Sequence, residues 1–316
     1  MFMQKEGSSR SYQESVKRIN VMRKLDGEDI SPDGRTIFLA RGEKMCNAII
    51  FFHGNTNSPR QFEELGKIFY KKGYNVLIPR VPHHGLKDRM TKDLAKLTVN
   101  EMIKLCGESV DIAGGLGNYI TVVGFSMGAN MAGWIAQNRS DVDKAVIIAP
   151  FWGWKNLPTF LFKPFIILLS ILPSMFLWWD KKAKKLLTGP TSSYFRFSTR
   201  GVAQIMLLGG KVMKESKSVA PRARAIVVIT SGMDEAVDEK NLDQVVTQWR
   251  QHSSVKITRF KFDQNMGVFH DMIDPQQPYQ KTSVVYPKLI ELIENTEIEY
   301  NKNLVPKRCP SKVKKL

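Results

Sequence analysis

The sequence predicts an α/β fold, a mostly parallel sheet covered by helices on both faces, and two observations carry that reading. Short apolar, β-branched runs recur along the chain, and segments with helical patterning lie between them. A strand buried on both faces is continuously apolar rather than alternating, as these runs are. In order they are AIIFF before His53, YNVLIP ending at Pro79, YITVVGF before Ser126, KAVIIAP ending at Pro150, AIVVIT ending at Thr230 and VKITRF ending at Phe260.

The elements follow from the amino terminus. SYQESVKRINVMRKL is helix-like and belongs to an N-terminal extension, residues 1–29. The segment from Ile30 to Ala40, with its PDG turn, is expected to add early antiparallel strands at the start of the core, which runs over 30–150. SPRQFEELGKIFYKKG reads as a helix with Ser58 as N-cap, Pro59 at the first helical position and Gly73 as the stop. The stretch 151–220 differs in character, rich in aromatics, prolines and lysines, and is read as an inserted cap; the core resumes over 221–300.

The most apolar part of the chain lies in that cap, LPTFLFKPFIILLSILPSMFLWWDKKAKK. Its longest apolar stretch, Pro164 to Trp179, is 16 residues, short of the roughly 20 that span a bilayer as a helix. Two readings remain: a cap packed over a pocket, or an interfacial element. In the second, Phe176, Trp178 and Trp179 enter lipid headgroups while Lys181, Lys182, Lys184 and Lys185 meet anionic lipid.

Composition narrows the class. With 43% hydrophobic and 24% charged residues, the chain has the make-up of a globular protein and not of a disordered one. Lys and Arg number 47 against 30 Asp and Glu, a net charge of +17 that favours contact with anionic surfaces. The tail 301–316 holds six cations and no acid, and is expected to be a solvated end. Zinc-finger spacing and RNA-binding aromatic motifs are absent from the sequence, so no nucleic-acid partner is expected. Cys46, Cys106 and Cys309 indicate neither a disulfide framework nor a metal cluster. The N-terminus has no apolar signal region, so cytoplasmic residence is the expectation, with peripheral contact at a membrane surface as an addition.

The chemistry starts from GFSMG, Gly124 to Gly128. A β-rich run ends at this motif and the helix-compatible ANMAGWIAQN begins after it, the strand-turn-helix setting of a nucleophile elbow at Ser126. The sharp turn strains the serine backbone, and the flanking glycines remove side chains that would clash with strand and helix. A serine needs a base, an orienting acid and an oxyanion hole. Asp234, in SGMDEAVD, and His270, in GVFHDMIDP, follow in the order Ser, Asp, His and each lies past the C-terminal end of a predicted strand. Glu235 and Asp238 compete for the acid role. His252 sits after an amphipathic helix, and His53, His83 and His84 precede Ser126 and break the order. For the oxyanion hole the amide of Met127 is one candidate; in the loop HGNTNSP, Asn55 is the other, with Thr56 as its alternative.

In these blocks, FFHGNT, NVLIPRVPHHG, GFSMG, SGMDEAVD and FHDMID, the chain resembles the α/β-hydrolase superfamily, and within it the carboxylesterase and monoacylglycerol-lipase-like branch. The resemblance runs over about Met45 to Leu292 and implies an α/β-hydrolase fold with an inserted helical cap, or lid. It implies a serine hydrolase with Ser126 as nucleophile, Asp234 as acid, His270 as base and the amides of Asn55 and Met127 as oxyanion donors. Two departures stand out. NTN replaces a stretch where many members carry a further glycine, and His83-His84-Gly85 stands where relatives often read GHG. His84 is therefore a candidate substrate contact, together with Phe151 and Trp152 where the cap begins.

The expected reaction is acyl transfer through an acyl-enzyme, needing no metal or organic cofactor. The expected partner is a small-molecule ester with a hydrophobic acyl group, because an apolar cap gains affinity by burying apolar surface. A thioesterase or amidase could use the same residues. A binding protein on the same scaffold is the reading outside catalysis.

Overall fold

The computed structural model describes residues 11–153, 159–179 and 190–295. In chain order the helices are α1 (Tyr12–Lys24), α2 (Glu63–Lys71), α3 (Val99–Leu116), α4 (Met127–Asn138), α5 (Thr159–Ile171), α6 (Thr199–Glu215), α7 (Glu239–His252) and α8 (Thr282–Glu294). The strands are β1 (Ile37–Leu39), β2 (Met45–Phe52), β3 (Asn75–Ile78), β4 (Gly117–Phe125), β5 (Lys144–Ile148), β6 (Phe176–Trp178), β7 (Arg196–Ser198), β8 (Ala225–Ser231) and β9 (Lys256–Phe262).

Seven strands form one sheet in the order β1-β3-β2-β4-β5-β8-β9, antiparallel at the β1 edge and parallel throughout the rest. The six apolar runs of the sequence are its six parallel strands. β3, β5 and β8 are buried along their whole length, which is why they read as unbroken apolar runs. Helices α3, α4 and α6 pack together, and α7 joins α4 through Trp249, whose indole donates to Gln137 at 2.6 Å. Helices α2 and α8 are joined by the Lys72–Glu294 pair. The N-terminal helix α1 docks on α3: Ile19 is buried, and the Ser15 hydroxyl donates to the Ile112 carbonyl at 2.8 Å.

Two local expectations change. Only one antiparallel strand, β1, forms near the start, and PDG is a 3₁₀ turn. The helix after the HGN loop opens with a 3₁₀ turn over Pro59–Phe62; Ser58 makes no capping bond, because its hydroxyl donates to the Asp33 carbonyl instead. Cys106 is free and buried.

Between β5 and β8 lie α5, the antiparallel β6–β7 pair and α6. Ile166 and Met206 form a small separate core there with Val202 and Ala203, and Phe151 packs against both this cluster and the main one. The outer side of α5 leaves Ile167, Leu168 and Ile171 exposed. No helix among the described residues is long and apolar enough to cross a membrane. Lys181, Lys182, Lys184, Lys185 and the tail 301–316 lie outside the described residues.

Candidate active site

Because the strands are parallel, the loops after β2, β4, β8 and β9 all emerge at one edge of the sheet. Ser126 directly follows β4 with φ 54° and ψ −112°, a backbone conformation that is strained for a residue with a side chain. Its amide donates to the Ile148 carbonyl at 2.9 Å, which pins the turn to β5. The glycines are required by contact. A Cβ on Gly124 would lie 1.9 Å from the Gly128 carbonyl oxygen, and one on Gly128 would lie 1.9 Å from that of Phe52.

His270 comes to this serine from the loop after β9. Its Nε2 lies 3.1 Å from Ser126 Oγ and its Nδ1 lies 2.7 Å from Asp234 Oδ2. A carboxylate only accepts, so Nδ1 carries the hydrogen and Nε2 is left as the acceptor for the serine hydroxyl. The other oxygen of Asp234 accepts from the Ala236 amide at 2.9 Å, which fixes the carboxylate in its turn. Burial works against a charged His270, but the charge and hydrogen bond of Asp234, helped by Asp271, outweigh it, so its pKa sits above the ordinary 6.5. Phe125 packs on the imidazole with ring centroids 5.1 Å apart.

The rival residues have other occupations. Asp238 caps α7, accepting from the amide and side chain of Asn241. Glu235 is exposed. His252 contacts the Lys217 carbonyl at the surface, and His83 lies against Glu101 and Asp93.

Among the described residues, the amides of Asn55 and Met127 have no internal acceptor, and Met127 stands at the first position of α4, where an N–H is free of helical bonds. The Gly54–Asn55 peptide is held from its carbonyl side: Gly54 O accepts from the Asn57 amide at 3.3 Å and from His53 Nδ1 at 3.0 Å. His53 Nε2 accepts from the Val81 amide at 3.2 Å, so both ring nitrogens are committed to one neutral tautomer. Burial lowers its pKa to about 4.

A second layer ties this loop to the histidine loop. Gln61 accepts from the Gly54 amide at 2.8 Å and donates to both oxygens of Asp271, next to His270. Asn57 faces Asp271 and Asp274. Burial, with the nearby Asp271 charge adding, raises the Asp274 pKa to about 6. In the sequence His53 stands out only as a histidine that breaks the triad order, although its HG pair was a visible signal; Gln61 and Asp271 carry no local signal.

The three candidate substrate contacts fare differently. Trp152 is only 1% exposed, its ring edge-on to Trp249 and against Gly133, so the structure puts it in the core and not at the site. Phe151 is half-buried at the junction of core and cap, its amide and carbonyl both bonded to the Asn130 side chain. His84 is fully buried; Nδ1 donates to the Pro82 carbonyl at 2.9 Å, and Nε2 lies 3.4 Å from the Asn55 side chain. Burial keeps His84 neutral, its pKa well below the ordinary value. It therefore backs the HGN loop from inside rather than offering a charge to a ligand.

A family model described as alpha/beta hydrolase fold matches residues 47–245. The chain belongs to the α/β-hydrolase fold family. It is 26% identical over 123 residues to a thermostable monoacylglycerol lipase of Bacillus sp. (strain H-257), a match spanning 36% of this chain and 48% of the relative, so about half the length of that enzyme. Among solved structures it resembles a metagenome-derived lipolytic enzyme of the LipS and LipT study, with TM-score 0.63, 14% identity, and 84% of this chain and 98% of the other covered. It also resembles a soluble variant of monoglyceride lipase from Saccharomyces cerevisiae in complex with a substrate analogue, with TM-score 0.60, 13% identity, and 81% and 89% covered. These likenesses establish the fold.

Proposed function

We propose that the protein is a serine hydrolase that cleaves carboxylic esters of a hydrophobic acyl group. The observation that carries this reading is the continuous hydrogen-bonded line from Ser126 Oγ through His270 to Asp234. Ser126 attacks the ester carbonyl as His270 Nε2 accepts its proton. Asp234 holds the imidazole and stabilises its charged form, and the amides of Asn55 and Met127 bind the oxyanion. The His270 proton then passes to the departing alcohol. Water, activated by the same imidazole, releases the acid from the acyl-enzyme.

The lipid-like substrate is supported by the cap, where Ile167, Leu168, Ile171, Leu172 and Met175 are exposed around the outer side of α5 and its end. An apolar face of this kind suits contact with an acyl chain or with the membrane that presents it. The lipase naming of the relatives points the same way. The test is hydrolysis of nitrophenyl esters from acetate to palmitate by the wild-type chain and by Ser126→Ala. The reading expects an optimum above acetate and loss of activity, by about a million-fold, in the variant. Equal rates for wild type and variant would refute it. Faster turnover of a long-chain ester in anionic vesicles than in neutral ones is the expected sign of membrane contact.

A further inference from the structure

Resting on that reading, we infer that Trp179, a cap residue, is a positioning residue for the oxyanion loop, acting through Thr56. Among the described residues, the cap holds Thr56 of the HGN loop at two points. The indole Nε1 of Trp179 donates to Thr56 Oγ1 at 2.7 Å, and the amide of Tyr194 donates to the Thr56 carbonyl at 2.7 Å. Thr56 directly follows Asn55 and has φ 62°, a left-handed conformation unfavourable for a β-branched residue. The Asn57–Gly54 bond closes a turn around Thr56, and the grip adds two contacts from the cap to hold it; relaxation of Thr56 to negative φ rotates the Asn55–Thr56 peptide and carries Asn55 with it.

Both gripping residues are themselves anchored. Trp179 follows β6, its amide bonded to the Phe195 carbonyl and its ring 4.5 Å from that of Phe197 on β7. The hydroxyl of Tyr194 accepts from the Leu86 amide at 2.8 Å, so the same tyrosine also fixes the loop after β3. Arg89 completes the seat, donating to the carbonyls of Pro190 and Ser193 while its guanidinium stacks on Phe195. Tyr194 is buried, whereas Trp179 is 54% exposed, so the indole bond is the part of the grip that opens first when the cap shifts. The cap therefore sets the geometry of the oxyanion donors and does more than cover a pocket.

The test separates this role from folding. Trp179→Phe removes the N–H and keeps a ring against Phe197; Thr56→Val removes the acceptor and keeps the shape. Each is expected to lower kcat on a short soluble nitrophenyl ester about tenfold with KM within about twofold of wild type, as misplacement of a transition-state donor does. The double variant should fall no further than either single one, because both cut the same bond. Thr56→Ser restores the hydroxyl and should recover most of the rate lost in Thr56→Val. Inactivation of Ser126 by a fluorophosphonate should slow in parallel with kcat.

Wild-type kcat in both single variants, losses that multiply in the double variant, or a change confined to KM would each overturn the inference. If Trp179→Phe does not fold, Thr56→Val carries the test from the other side of the bond. A wild-type chain that neither labels at Ser126 nor hydrolyses any ester overturns the hydrolase reading and this inference together. Labelling with unchanged variants overturns this inference alone.

Discussion

Along β5, every side chain of KAVII is buried, whereas along α5 the still more apolar FIILL leaves Ile167 and Leu168 exposed. Even Lys144 is enclosed on β5, its Nζ donating to the carbonyls of Ile293 and Asn295 at the end of α8. The contrast teaches that apolarity sets a demand for cover and topology decides whether it is met. A central parallel strand has neighbours on both edges and helices on both faces. Among the described residues the cap helix packs chiefly on α6, with Pro164 inside it, and Ile167, Leu168 and Ile171 on its far side are exposed. One region uses its apolar groups to hold a serine turn rigid; the other leaves several of them exposed.

The sharpest way to break this comparison is at the rigid region's chemistry. Asp234→Asn should lower kcat/KM by about 10⁴ while leaving the melting temperature nearly unchanged, since the carboxamide fills the same space and loses the acceptor for His270. The remaining activity should also shift its acid limb. In the wild type that limb reflects loss of neutral His270 and should have its midpoint above 6.5, because Asp234 raises the imidazole pKa; in the variant the midpoint moves down. A kcat/KM–pH profile of both chains checks it.

Next in size is the core itself. Ile147→Ala, in the middle of β5, should cost about 2–5 kcal/mol in urea unfolding, the range for emptying a fully buried aliphatic site. A cost below 1 kcal/mol would mean that the sheet relaxes as freely as the cap.

Acid should weaken the rigid region through its buried histidines. His53 has its folded pKa lowered to about 4 from 6.5, so the unfolded chain binds the proton first and stability falls as pH drops through that window. His53 alone contributes about 3 kcal/mol to that fall, at about 1.4 kcal/mol per pH unit. His84 acts in the same direction. Asp274 opposes them: with its folded pKa raised to about 6 from 3.8, it adds stability as pH falls from 6 to 3.8. Urea titrations at neutral pH and near pH 4.5 should therefore show a net loss, reduced in His53→Gln relative to its own neutral value.

The smallest effect belongs to the cap surface. Leu168→Ser should change unfolding free energy by less than about 0.5 kcal/mol, as exposed substitutions do. It should, however, reduce sedimentation with anionic vesicles. A stability loss comparable to that of Ile147→Ala would show that this face is covered by protein in solution.

The strands, the elbow at Ser126 and the order of Asp234 and His270 were legible because each is written in a short window. An apolar run, two glycines around a serine, or an acid just past a strand needs only local backbone rules. Other assignments joined residues far apart in the chain, and no local pattern records them. Trp152 stood at the entrance of the cap in sequence, yet its ring turns inward to Trp249, as a large aromatic does when a cavity between two helices has to be filled. Asp238 was a fair rival to Asp234 until the start of α7 claimed it as a cap. The bonds from Gln61 to Asp271 and from Trp179 to Thr56 join loops more than a hundred residues apart. Sequence by itself determined which segments become strands and which serine stands on a strained turn, because steric limits act between near neighbours. Only the tertiary structure decided which polar groups meet, because a buried donor or acceptor takes whatever partner the strand order brings within about 3 Å.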